Sequence, residues 1–185
     1  MYVLGLDIST SCTGWALLDL EGNFVSAGFI ESKKEKDLYQ KSRLVRSFLE
    51  QLKDEYAIHH IFIEENLQAF RPGLSSAKTL MTLSRFNGMV SLMCFDIFDK
   101  MPLMLNVNAA RKSIGLKIKR KSAGGQPTKE QVLIWAKDRL LHTGFSWPVK
   151  TLRGGPNRGN VVIQPGCYDL ADALVIATAG VNTTF

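Results

Sequence analysis

Apolar and polar positions along the chain follow two periods in turn. Tyr2 to Ile8 reads YVLGLDI, an apolar run interrupted by Gly5 and Asp7. A run of this length suits a strand buried on both faces. Ser9 to Thr13 is a polar turn and Gly14 to Leu20 a second strand. Glu21-Gly22-Asn23 is a tight-turn signal before a third strand at Phe24 to Ile30. Links this short force an antiparallel meander, because a parallel crossover needs about a dozen residues or more. From Asp37 to Tyr56 the period changes, and Val45, Phe48, Leu49, Leu52 and Tyr56 fall on one helical face. His59 to Glu64 predicts a fourth strand, Ser75 to Phe98 a long helix and Pro102 to Val107 a fifth strand. Thr128 to Gln131 has the pattern of a capping box opening a helix to about Leu141, and a last helix is predicted from about Asp169 to Ala179. The expectation is one α/β domain over residues 1–185. Its core is a mixed five-stranded sheet, three antiparallel strands followed by parallel ones, flanked by helices.

Composition narrows the partners. Lys plus Arg is 23 and Asp plus Glu 17, a formal charge of +6, which favours an acidic partner, nucleic acid being the commonest. The 45% of hydrophobic residues excludes a disordered chain. Cys12, Cys94 and Cys167 lie far apart with no CxxC pair, which excludes a zinc ribbon and argues against a disulfide-stapled secreted domain. No apolar run reaches the ~18 residues of a bilayer span, and the opening MYVLGLD has no basic n-region. The expectation is a soluble intracellular protein with no membrane partner.

The candidate chemistry lies in misplaced acids. Asp7 sits near the end of a strand built for the interior, where an unpaired carboxylate costs several kcal/mol; capping of the Ser9–Thr13 turn is the bland alternative. Glu64 repeats the oddity at the end of IFI. Glu65 follows on the opposite face by period-two alternation, so only one of the pair can face Asp7, and Glu64 is the better candidate. Asp169 and Asp172, at i and i+3, share one helix face. A single acid in a first helical turn answers to the macrodipole; two on one face ahead of ALVIATA read as a site with Asp172 partly buried. Four carboxylates brought together would repel. A divalent cation relieves that, and hard oxygen ligands select Mg²⁺ or Mn²⁺. Two ions about 4 Å apart are the arrangement that cleaves phosphodiesters. If the four acids converge, the chain is a metal-dependent nuclease or related phosphoryl-transfer enzyme.

At these residues the sequence resembles a known family. LGLDISTSCTGWA (4–16) resembles the first motif of the RuvC-like Holliday junction resolvases of the ribonuclease H superfamily, IEENL (63–67) the second, and YDLADAL (168–174) the closing acidic motif. NVNAARKSIG (106–115) is similar to the family's strand, short helix and basic segment. The resemblance implies a ribonuclease H-like fold, a homodimer and paired nicks across a four-way DNA junction. It implies metal-binding catalytic acids at Asp7, Glu64, Asp169 and Asp172, with two Mg²⁺ ions per site and Mn²⁺ as substitute. It also implies a cytoplasmic location, in a bacterium or a phage-infected cell. The compact length and the insertion at 143–167, a hairpin or a DNA-contacting loop, are more like the phage-encoded branch, which is looser toward other branched DNA.

DNA contacts are expected from Arg111 and the run Lys112, Lys117, Lys119, Arg120 and Lys121, although a charge run is more usually a solvated face. By the resemblance, Lys117 or Lys119 stabilises charge at the scissile phosphate. Arg153 and Arg158 are second-rank contacts. Phe70 and Arg71, after Glu64, are further candidate DNA contacts; Phe70 would either stack on an unpaired base or anchor its loop on the core. Ala77, Ser84, Gly88 and Ser91 would let a second helix approach the 75–98 helix. Three other readings stay open: a ribonuclease H-like RNA-processing nuclease, a phosphate-binding ATPase-like domain, and a catalytically dead DNA-binding module.

Overall fold

The computed structural model describes residues 1–65 and 76–184. The period-two segments form a meander of β1 (Tyr2–Ile8), β2 (Cys12–Asp19) and β3 (Phe24–Glu31). The strands β4 (Ile58–Glu64) and β5 (Leu103–Leu105) join it in parallel to β1. Across the sheet the order is β3-β2-β1-β4-β5. This is the mixed five-stranded sheet that the hydrophobic pattern predicts.

Side-chain parity along β1 divides the core into two layers. Leu4, Leu6 and Ile8 pack with Leu17, Ile61 and Ile63 under α1 (Leu38–Glu55) and α2 (Ala77–Phe98). Val3, Ala16, Leu18 and Phe62 face the other way, under α3 (Val107–Ser113), α4 (Thr128–Arg139) and α5 (Gly166–Thr184). Helix α5 lies unusually close to the sheet. A Cβ at Gly5 would stand 2.5 Å from the Ala177 nitrogen, and one at Gly14 would stand 2.0 Å from the Asp169 carbonyl oxygen. Bare backbone on the strands, and alanines on the helix, are what permit this approach.

Several element boundaries differ from the pattern, each for a local reason. Strand β2 begins at Cys12, because the Ser9 hydroxyl accepts from the Cys12 N–H at 3.1 Å and donates to the Cys12 carbonyl at 2.7 Å, closing the turn early. Strand β5 ends at Leu105, because the Asn106 side chain caps α3 by accepting from the N–H groups of Asn108 and Ala109. The predicted capping box does not form. Helix α4 begins after Pro127 with no side-chain cap, and Gln131 turns back to the loop before it. Within 143–167 a short hairpin forms from β6 (Val149–Thr151) and β7 (Val161–Ile163). Edge-on contacts of Phe24 with Phe145 and of Phe145 with Trp147 anchor the chain that leads into it. No helix among the described residues is long and apolar enough to cross a membrane.

Candidate active site

Parity places the first two acids. Asp7 shares its face of β1 with Val3 and Gly5, and Glu64 shares its face of β4 with Phe62; both faces lie under α5. The parallel register pairs Leu6 with Ile63, so Asp7 and Glu64, each the next residue, lie side by side at the C-terminal ends of their strands. Asp7 pairs across β2 with Gly14, on which the Asp169 backbone rests. The glycine thus brings the helix and its acids down beside Asp7. One turn on, Asp172 is buried, 6% exposed. Glu65 falls on the opposite parity from Glu64, its N–H held by the Leu105 carbonyl at 2.8 Å.

The carboxylates lie near enough to act on one another's charge. Burial, then the charges of Glu64, Asp172 and Asp169, hold Asp7 well above the ordinary carboxylate range. Burial, then Asp172, pushes Glu64 up to about 7, against the lowering effect of Arg111 and Lys129. Asp172 is also raised by burial, and Arg111 offsets part of that by charge and hydrogen bond. Cys12, beside the cluster, is not a nucleophile in waiting: burial and the neighbouring Asp169 push its thiol far up.

Two cations reach the acids. The Arg111 Nη2 lies 3.0 Å from the Asp172 Oδ1, with the two side chains 16% and 8% exposed. Its Nε is buried without a hydrogen-bond partner. The Lys129 Nζ lies 3.8 Å from the Asp169 Oδ1, with the lysine largely open to solvent. Among the described residues, Arg111 and Lys129 are the cations paired with the cluster; Lys117 and Lys119 are not. Lys112 and Lys117 line an open depression of about 280 Å³ that Arg111 also borders. Lys119, Arg120 and Lys121 stand exposed in the loop before α4, and Arg153 and Arg158 in the loop between β6 and β7. Phe70 and Arg71 lie outside the described residues.

In the sequence Lys129 occupies a spacer position of the capping-box pattern, which does not mark it as a site residue. Its place in the first turn of the helix after the basic segment was the available signal. Arg111 was read as a DNA contact, and nothing local distinguishes it from Lys112.

The donor set suits a hard divalent cation: four carboxylates, three of them raised by burial and by each other's charge. In their present positions no three His, Cys, Asp or Glu side chains among the described residues are gathered closely enough to hold an ion.

A mixed sheet of this order, with an acid-bearing helix laid across its first strand, is the ribonuclease H-like fold. In fold the chain is similar to structures of RuvC and a related resolvase. It resembles T. thermophilus RuvC in complex with a Holliday junction substrate, with a TM-score of 0.66 and 14% identity over 100% of this chain and 95% of that one. A second Thermus thermophilus RuvC structure gives 0.63 and 16% over the same shares. The yeast mitochondrial Holliday junction resolvase Ydc2 gives 0.57 and 13%, covering 97% of this chain and 77% of its own. No family model matches the sequence, and no curated protein matches it.

Proposed function

We propose that residues 1–185 act as one RuvC-like nuclease domain, a metal-dependent and structure-selective endonuclease that resolves four-way DNA junctions by paired nicks. What supports this reading is that Asp7, Glu64, Asp169 and Asp172, carried by β1, β4 and α5, lie on the same side of a ribonuclease H-like sheet and within reach of one another's charge. Likeness in fold to a RuvC bound to a Holliday junction supports the substrate class. The four acids would hold two divalent cations, Mg²⁺ or Mn²⁺, which supply an activated water and stabilise the leaving oxygen. Arg111 neutralises Asp172 while the carboxylates are unliganded, and holds it in place. Lys129, beside Asp169 and exposed, is the cation best placed to offset charge growing on a phosphate at the cluster.

Two-fold substrates suit two-fold enzymes, and α2 offers a surface for self-association. Ala77, Met81, Ser84, Gly88, Leu92 and Phe95 are all exposed and follow one another at spacings of three or four, making one stripe of the helix. Met81 and Leu92 are 68% and 61% exposed, and a Cβ at Gly88 would meet nothing within 4 Å. A second copy of this helix would cover the stripe and complete a homodimer.

The test is Mg²⁺-dependent cleavage of a labelled immobile four-way junction beside a linear duplex, a three-way branch and an RNA/DNA hybrid, with Asp7→Asn as control. Symmetric nicks near the branch, lost in the control, are expected. Cleavage confined to the hybrid would move the protein to the ribonuclease side.

A further inference from the structure

Residues 101–129 carry seven Lys or Arg and no acid, yet their central loop is not a loose charged tether. The Gln131 side chain holds it from α4 by three hydrogen bonds. Its Oε1 accepts from the Lys119 N–H at 2.8 Å, and its Nε2 donates to the Lys119 carbonyl at 2.8 Å and to the Gln126 carbonyl at 2.6 Å. The loop also closes on itself. The N–H groups of Ala123 and Gly125 donate to the Arg120 carbonyl, and Gly124 turns in the left-handed region at φ 77°. Gly125 presses against the Lys119 carbonyl so closely that a Cβ there would stand 2.1 Å from its oxygen. With the backbone fixed in this way, the side chains of Lys119, Arg120 and Lys121 all point into solvent.

The two residues before Gln131 fasten the same turn of α4 to the candidate active site. Lys129 pairs with Asp169, and Glu130 accepts a hydrogen bond from the Tyr168 hydroxyl. Three consecutive residues thus tie one end of α4 to both the basic loop and the acidic helix. We infer that the 119–126 loop is a preformed contact for the sugar-phosphate backbone, and that Gln131 is the positioning residue that preforms it. The inference rests on the nuclease reading and deepens it. A loop ordered before binding spares the complex the entropy of ordering it, so affinity is gained without any added charge.

That separation of order from charge gives the test. Binding of a fluorescent synthetic four-way DNA junction is measured in Ca²⁺, across a salt series, for the wild type and variants. Gln131→Ala is expected to bind about tenfold more weakly, with an unchanged slope of log K against log salt, because the same phosphates are still neutralised. Replacing Lys119, Arg120 and Lys121 together by Ala should instead flatten the slope by about 2.7, at about 0.9 per phosphate. In Mg²⁺, the Gln131→Ala loss should fall on KM and leave kcat within about twofold, since Lys129 and the four acids are intact. Gly125→Ala breaks the loop from its other side without touching α4, and should reproduce the weaker binding and unchanged slope if Gln131→Ala does not fold. Wild-type affinity in both variants, or a slope altered as in the triple variant, would overturn the inference while leaving the nuclease reading intact. A wild-type chain that binds none of the DNA substrates would overturn both.

Discussion

Gly14 is the position where one methyl group should do most damage. In a strand, Gly→Ala ordinarily stabilises by about 0.5–1 kcal/mol, because alanine has less backbone freedom to lose on folding. Gly14 lies in β2 with no positive φ, so nothing in its own backbone conformation forbids alanine. The obstacle is across the interface. The new Cβ would stand 2.0 Å from the Asp169 carbonyl oxygen, 2.2 Å from its carbonyl carbon and 2.7 Å from the Leu170 nitrogen. All three are backbone atoms of α5, with no flexible side chain to swing aside. The helix end must retreat by about 1 Å, or β2 must bow, and overpacking of this kind costs about 1–3 kcal/mol. With backbone on both sides, the cost belongs at the upper end. In a chain of this size that lowers Tm by roughly 5–10 °C.

The same retreat carries Asp169 and Asp172 away from Asp7 and Glu64. A misplacement of about 1 Å at reacting groups can cost on the order of 10²-fold in rate. Urea unfolding and single-turnover junction cleavage are the assays. Gly154→Ala is the control, because its Cβ would meet nothing within 4 Å and its φ is not positive; its stability should stay within about 0.5 kcal/mol of wild type. A Gly14→Ala protein that unfolds at the wild-type urea midpoint and cuts at the wild-type rate would show that α5 does not rest on β2 at Asp169. The convergence of the four acids would then lose its structural basis.

Three further outcomes follow from the same geometry. Glu64, raised to about 7 from an ordinary 4.5, keeps its proton longer in the folded chain than in the unfolded one, so without metal its contribution to stability falls as pH rises from 4.5 to 7. His60, lowered by burial, gives the opposite slope in part of that range, so the wild type is compared with Glu64→Gln, which shares it. The wild-type curve should drop relative to the variant in EDTA and recover in saturating Mg²⁺; parallel curves in EDTA would refute the burial and repulsion assigned to Glu64. Lys129→Ala should lower kcat by about 10²-fold, the scale of losing one electrostatic contact to the transition state, whereas Lys117→Ala and Lys119→Ala should act mainly on KM; equal kcat losses in all three would return the catalytic role to the basic run. Leu92→Glu should convert a dimer to a folded monomer in sedimentation without changing the circular dichroism, and a wild type that sediments as a monomer would dismiss the α2 interface.

What could be read in advance was what a single element reveals about itself. Asp7 and Glu64 stand out because they lie near and at the ends of apolar strands; parity lets only one of Glu64 and Glu65 face Asp7, and Glu64 is the one that directly ends IFI. Asp169 and Asp172 stand out because i and i+3 share a helix face. The antiparallel-then-parallel sheet follows from the lengths of the connections. The residues that stayed hidden take their meaning from another element. Arg111 and Lys129 are two of seven cations between 101 and 129, and only the packing of α3 and α4 against α5 singles them out. Gln131 satisfied a local capping pattern, but its side chain found three partners in the loop instead of one at the helix end. Gly14 reads as an ordinary strand glycine until α5 is laid across it.

The hidden residues answer a difficulty that the visible ones create. Burial disfavours charge on Asp7, Glu64 and Asp172, and the neighbouring carboxylates add repulsion, which is why all three hold their protons too strongly. A fold that keeps them together needs close packing that resists separation and counter-charges that soften it. Gly5 and Gly14 supply the first, by letting α5 approach to backbone contact. Arg111, with a buried Nε that has no partner, and Lys129 supply the second. Neither cation removes the excess negative charge, and the raised carboxylates are the measure of what is left. Under the proposed nuclease reading, a divalent cation bound there would release that unfavourable energy, so the arrangement that weakens the metal-free chain would also be the one that favours metal.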